Sequence, residues 1–201
     1  MRGLLFICGA LVFSSTIARA QQPTAVDLLA KVSSTYATAR TYSDEGKASL
    51  GDGTRMSSHF RISFVRPNAL VFEVWFDAPV KNATNSWIVW KDGDVVKSSS
   101  PVGFDSRIAP LDTALARLVS LSGGSSQNIP QLLLPDSFRN ADLLSLITDA
   151  RVAGEDKIDG HSTYRIEGNI LGDRIKLWID KTRFVIRNLS GKPGSAIMTM
   201  K

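Results

Sequence analysis

Between Ser57 and Asp77 the chain reads SSHFRISFVRPNALVFEVWFD, and this stretch narrows the possible folds more than any other. Phe60, Ile62 and Phe64 alternate with His59, Arg61 and Ser63, the period of two of a strand with one buried face. Arg66-Pro67-Asn68 interrupts the pattern, because proline removes a backbone donor and asparagine tolerates turn geometry. The alternation resumes with Leu70, Phe72, Val74 and Phe76 against Val71, Glu73, Trp75 and Asp77. Two adjacent strands thus carry seven large apolar side chains on one side. That surface is either core beneath other elements or a binding wall beneath a movable cover.

Elements able to cover it stand on both sides in sequence. Thr24-Ala25-Val26-Asp27 resembles a capping box, and Ala25, Leu28, Leu29, Val32 and Tyr36 follow at helical spacing, so an amphipathic helix opens the mature chain. From Pro101 to Ile147 the strand alternation disappears. Leu111, Leu115, Leu118 and Val119 fall at helical spacing up to Gly123-Gly124. Ile129, Leu132, Leu133 and Leu134 form a second short segment between Pro130 and Pro135, and Asn140 is placed to cap a third carrying Leu143, Leu144 and Ile147. Helices this short do not stand alone in water, so each must lie on something.

The remainder reads as strands: Thr41–Leu50, Ser86–Lys91, Asp94–Ser99, Asp149–Ile158, Ser162–Glu167 and Arg174–Asp180, then a strand bearing Phe184 and Ile186, and a last short one over Ala196–Met200. Asp92-Gly93 and Asp159-Gly160 are hairpin signals. Eight or nine strands joined by hairpin-length loops imply an antiparallel sheet, and with the helices gathered on one face the class is α+β.

Residues 1–20 stand apart from this pattern. Arg2, the apolar run Leu4–Phe13 and Ala18-Arg19-Ala20 have the order of a cleaved secretory signal peptide, and the run is too short for a permanent membrane span. The only cysteine, Cys8, falls inside it, preceded by Ile7, which argues against lipidation. The expected mature chain, 21–201, is one domain without disulfides or thiol chemistry, exported and soluble. Of 24 Lys+Arg and 19 Asp+Glu, Arg2 and Arg19 leave with the signal, so the balance is 22 minus 19, or +3. The basic residues are scattered, which argues against nucleic acid and fits weak attraction to anionic membranes. His59 and His161 are the only histidines, and no G-x-S-x-G, H-E-x-x-H, EF-hand or phosphate-loop pattern occurs. No enzyme, metal or cofactor is expected.

Ala25, Asp27, Leu28, Leu29, Val32, Ser33 and Ser34, followed by Arg66-Pro67-Asn68 and Lys91-Asp92-Gly93, resemble the LolA family of periplasmic lipoprotein carriers. Ala153-Gly154-Glu155, Ile158-Asp159-Gly160 and Leu177-Trp178-Ile179-Asp180 are similar to broader exported LolA-like families. The resemblance implies a half-open curled antiparallel sheet, an incomplete barrel, with a helical lid insertion (about 101–147) on its concave face. It implies a periplasmic carrier or chaperone that shelters a lipid or lipoprotein acyl chain, with a membrane protein complex as a further partner. The ligand wall would comprise Phe60, Ile62, Phe64, Leu70, Phe72, Val74, Phe76, Ile175, Leu177 and Ile179; the lid would offer Leu115, Leu118, Val119, Leu132 and Leu133. Arg66 matches the arginine that latches the lid in such carriers. A regulatory interaction module on the same fold, as in proteins that bind an anti-sigma factor, is the alternative. Two departures stand out: the insertion is longer than in the carriers, and the chain ends at Lys201 where relatives add closing strands. An unpaired last strand would invite edge pairing, so the expected state is a monomer or a weak homodimer. Trp75, Trp90 and Trp178 fall on the phase opposite the apolar row or in two-sided strands, either packing there or forming a docking patch.

Overall fold

A computed structural model describes residues 22–50, 56–76, 85–101, 103–105, 109–138, 142–191 and 197–200. The expected signal peptide and Asn140 lie outside these residues.

The chain begins with α1 (Ala25–Thr38), whose capping box is formed as expected: Thr24 Oγ1 accepts the Asp27 N–H and the Asp27 carboxylate reaches back to Thr24. Then come β1 (Thr41–Leu50), β2 (Met56–Val65), β3 (Ala69–Phe76), β4 (Ser86–Asp92), β5 (Val95–Ser100) and β6 (Gly103–Asp105). The insertion holds α2 (Leu111–Ala116), α3 (Ser125–Leu133) and two 3-10 turns, Pro135–Ser137 and Leu143–Leu146. β7 (Thr148–Ile158), β8 (His161–Ile170), β9 (Asp173–Asp180), β10 (Ile186–Ser190) and β11 (Ile197–Met200) complete the chain. All eleven strands form one antiparallel sheet in the order β6-β5-β4-β3-β2-β1-β11-β10-β9-β8-β7, open at both ends. The fold is α+β, a curled half-open sheet with helices over one face.

The sequence reading needs correction at six places. The sheet has eleven strands, not eight or nine: each of the ten runs named above forms one, and β6, inside the insertion and at three residues too short to show a period, is the eleventh. The last strand is not an unpaired edge: β11 lies mid-sheet, bonded to β1 and β10, and the edges are β6 and β7. Phe184 is in the β9–β10 turn at φ 52, so β10 begins at Ile186. Leu118 and Val119 follow α2 in turns, and Gly124, at φ 87, is the N-cap of α3 where a helix end was expected. Pro130 sits inside α3; it bounds no segment. The cap of the third short segment is Asp142, whose carboxylate accepts the Leu144 and Ser145 N–H groups.

The helices lie side by side across the concave face. α2 rests on β4 and β5, α3 lies between α2 and α1, and α1 reaches β7 on the far side. The core under them is one apolar cluster, including Leu28, Val32, Phe60, Phe72, Leu115, Ile129, Leu133, Ile166 and Leu177. Among the described residues no helix is long and apolar enough to cross a membrane.

Candidate functional site

The strand register explains why the apolar residues share a face. Phe60 lies opposite Val74, Ile62 opposite Phe72 and Phe64 opposite Leu70, so a residue that faces inward on β2 meets one that faces inward on β3. Phe60, Ile62, Phe64, Leu70, Phe72 and Val74 are all buried, and the rings of Phe60 and Phe72 stack with centroids 5.9 Å apart. Phe76 is half-buried at the end of the row, edge-on to Trp87 at 5.7 Å. On β9, Ile175, Leu177 and Ile179 are buried as well. From the lid come Leu115, Leu118, Leu132 and Leu133, all buried, with Val119 half-buried. The structure therefore brings the wall and lid residues of the sequence reading into one apolar cluster, Phe76 and Val119 excepted, and the lid is closed on it. Two cavities, of about 670 and 420 Å³, touch this wall only at Ile175 and Phe64 respectively. The larger is lined mainly by polar and charged residues of β7, β8 and β9, the smaller by Thr41–Ser43, Ser63–Val65 and Arg183.

Arg66, half-buried in the turn between β2 and β3, crosses from sheet to helices. Its Nε donates to the Ala39 carbonyl at 3.0 Å, and its Nη2 donates to Ala37 O at 2.7 Å and to Leu133 O at 3.0 Å. The last carbonyls of a helix have no partner within it and carry partial negative charge. One guanidinium thus joins the C-terminal ends of α1 and α3, and its planar fork suits three acceptors as an ammonium would not. The guanidinium also lies 5.2 Å from the Phe64 ring, and Arg66 N donates to Arg40 O at 2.8 Å, fixing its base.

A second sheet-to-lid bond was not foreseen. Ser58 is buried on the inner face of β2, and its Oγ donates to the Leu121 carbonyl in the turn before α3. Inside the lid, Ser126 Oγ donates to Leu115 O at 3.0 Å, Ser125 Oγ to Ser122 O at 2.6 Å, and Ser126 N to Ser122 Oγ at 3.1 Å. These serines are fully buried and tie α2 to α3. Ser57-Ser58 and Ser122, Ser125 and Ser126 look like loop polarity in sequence. Only the inward phase of Ser58, two residues before Phe60, could have singled it out.

At the α1 end the chemistry changes. Asp180 and Arg187 form a buried ion pair, Arg187 Nε and Nη2 donating to Asp180 Oδ2 at 3.1 and 3.0 Å. Asp180 Oδ1 accepts Thr182 N, Thr182 Oγ1 and Arg183 N. Burial works to raise the Asp180 pKa, but the bonds from Arg183, Thr182 and Arg187 outweigh it and hold the carboxyl well below the usual range. Next to this pair, Tyr36 Oη accepts the Ile186 N–H at 3.1 Å and lies 3.4 Å from Tyr42 Oη, which donates to Asp44 at 2.8 Å. Burial pushes the Tyr36 hydroxyl up to about 12 and raises the Asp44 carboxyl against the bond from Tyr42. His161, on the exposed side, sits 3.4 Å from Asp180.

The tryptophans divide. On the outer face Trp75 stacks on His59 at 5.6 Å with Arg61 over its ring, and Trp178 Nε1 donates to Asp156 at 2.7 Å. Trp90 pairs with Val71, which is 44% exposed, so a small apolar area faces outward there.

No protein-family model matches the chain, and no curated protein matches it by sequence. Solved structures do. LprF from Mycobacterium bovis matches over 88% of this chain and 91% of its own, with 14% identity and a TM-score of 0.50. A chain of the Pseudomonas aeruginosa MucA/MucB complex matches over 88% of this chain but only 55% of its own, with 11% identity and a TM-score of 0.50. The LolA superfamily protein NE2245 from Nitrosomonas europaea is a fainter likeness, covering 90% of this chain and 92% of its own at 10% identity and a TM-score of 0.35. At such identities the likeness is one of architecture alone, shared with LprF and with a chain of the MucA/MucB complex.

Proposed function

We propose that this protein is a non-catalytic periplasmic carrier or chaperone that holds a lipid or lipoprotein acyl chain between the sheet and the helical lid. The observation that carries this reading is Arg66: one side chain bonds the C-terminal ends of both α1 and α3 at the edge of a mainly apolar interface. Away from Arg66 and Ser58, the lid meets the sheet mainly through aliphatic and aromatic contacts, which an acyl chain can replace, since each methylene removed from water is worth about 0.8 kcal/mol. In this reading the closed lid is the empty state, and ligand entry exchanges lid side chains for acyl chain on the wall Phe60–Phe76 and Ile175–Ile179. Residues 1–20 act as the export signal, and the mature chain works as a monomer or a weak homodimer.

The experiment is transfer of a fluorescent fatty acid to wild type and to Arg66→Leu, with mass spectrometry of the natively purified protein. The expected results are co-purified lipid, probe uptake by wild type, and altered uptake or release by the variant. Absence of lipid together with no probe response would overturn the carrier reading, and unchanged transfer in Arg66→Leu would overturn the latch.

A regulatory interaction module is the second reading, supported by the shared architecture with a chain of the MucA/MucB complex. A stoichiometric membrane-protein partner recovered without bound lipid would favour it over the carrier.

A further inference from the structure

The inner faces of β2 and β3 carry eight residues in register: Ser58, Phe60, Ile62 and Phe64 on one strand, Leu70, Phe72, Val74 and Phe76 on the other. Seven are apolar and one is a hydroxyl. Ser58 is buried, and its Oγ has a single acceptor, the carbonyl of Leu121 in the lid. A buried hydroxyl left without an acceptor is unfavourable, so the lid cannot leave this position unless something replaces Leu121 O. If an unbranched hydrocarbon filled the space, Ser58 would lose its partner. An acyl chain whose ester or carboxyl oxygen lies at Ser58 would keep it.

We infer that Ser58 is a ligand-orienting residue that exchanges acceptors, bonding the Leu121 carbonyl when the lid is shut and the carbonyl of an acyl ester or acid when it is open. The inference rests on the carrier reading and adds to it a chemical class and a direction. The polar end of the ligand sits at the Ser58–Phe76 end of the wall. The chain runs along Phe60, Ile62 and Phe64 toward the Arg66 turn. From Ser58 to Phe64 is six residue steps, about 20 Å of extended strand, enough for a long acyl chain to lie straight. The lid has what such an exchange needs. Its serine bonds hold α2 and α3 together, so the Leu121 carbonyl withdraws with the whole lid and not alone.

The test compares methyl palmitate with hexadecane, an ester and an alkane of similar length, as displacers of a bound fluorescent fatty acid from the full mature protein. Ser58→Ala also removes the closed-lid bond, which eases opening for both ligands alike, so the informative quantity is the ratio of their affinities. Wild type should prefer the ester, and Ser58→Ala should reduce that preference by about fivefold, the share of one neutral hydrogen bond. Hydrogen exchange without ligand supplies an independent readout, since Ser58→Ala should speed exchange across 118–126 while leaving β8 and β9 unchanged. An ester preference that is equal in both proteins overturns this inference and leaves the carrier standing. Failure of both ligands to displace the probe overturns the two together.

Discussion

The two ends of the helical layer are fastened to the same sheet by different chemistry. Over β2–β5 the lid lies on an apolar wall and is joined to it by Arg66, half in solvent, and by the neutral hydroxyl of Ser58. Over β9–β10, α1 is pinned by a buried phenol on a strand amide, next to a buried ion pair with every oxygen of the carboxylate engaged. Dispersion and hydrophobic contacts have no directional preference and tolerate replacement by another apolar group. A buried hydrogen-bonded ion pair tolerates poorly the loss of one member, because that strands the other in low dielectric. On the carrier reading, the difference makes α1 and β9–β10 the scaffold and α2–α3 the part that comes away.

The largest expected effect lies in the scaffold. Asp180→Ala leaves Arg187 charged and buried, and should lower unfolding free energy by about 3–5 kcal/mol in a urea titration. A loss under about 1 kcal/mol would erase the distinction between the two ends. The same carboxylate has a pH signature. Its folded pKa is depressed, so its contribution is present above the ordinary value of 3.8 and is lost as pH falls through the folded value. Asp44 is shifted upward by burial and acts in the opposite sense, favouring the fold at low pH and losing that share as pH rises through its raised value. The net acid limb belongs to Asp180, so Asp180→Asn, though less stable at neutral pH, should show a shallower decline between about pH 5 and 2.

Next in size is Tyr36→Phe, which deprives Ile186 of its acceptor and should cost about 1–3 kcal/mol. The phenol is raised from 10.0 to about 12, so wild type loses stability as pH rises from 10 toward 12, where only the unfolded chain ionises there. The variant should lack that alkaline share, a shape that a simple packing defect would not give.

Arg66→Leu should be milder on global stability, about 1–2 kcal/mol, because its acceptors can turn to water. Its effect is local: hydrogen exchange should rise in α3 and at the C-terminal turn of α1, with β9 and β10 unchanged. Equal acceleration in both ends would mean that the lid is as much scaffold as α1.

The unequal visibility of the two ends in the sequence has the same physical origin. The apolar wall announces itself because burial on one face imposes a period of two from Phe60 to Phe76, and Arg66 stands in the break between runs. The Asp180–Arg187 pair imposes no period. Asp180 closes a strand in a place where acids usually mark turns, and Arg187 is the extra residue of the bulge between Ile186 and Asn188, so neither looks inward. Ser58 is hidden by its neighbours in Met56-Ser57-Ser58-His59, and the mid-sheet place of β11 depends on β1, some 150 positions upstream, which no local signal records.

The smallest effect tests whether the contrast resides in the inner face or in the strands themselves. The β4–β5 loop has Gly93 at φ 56, in the lid half, and the β7–β8 loop has Gly160 at φ 83, in the other. A Cβ at either position meets nothing within 4 Å, so the cost of Gly93→Ala or Gly160→Ala is that of a left-handed backbone alone, about 1 kcal/mol. Because this cost is local, the two variants should match within about 0.5 kcal/mol in the same urea titration. A clearly larger loss for Gly160→Ala would locate part of the scaffold's strength in its hairpins; equal losses leave it with the buried pair, the tyrosine and the helix they hold.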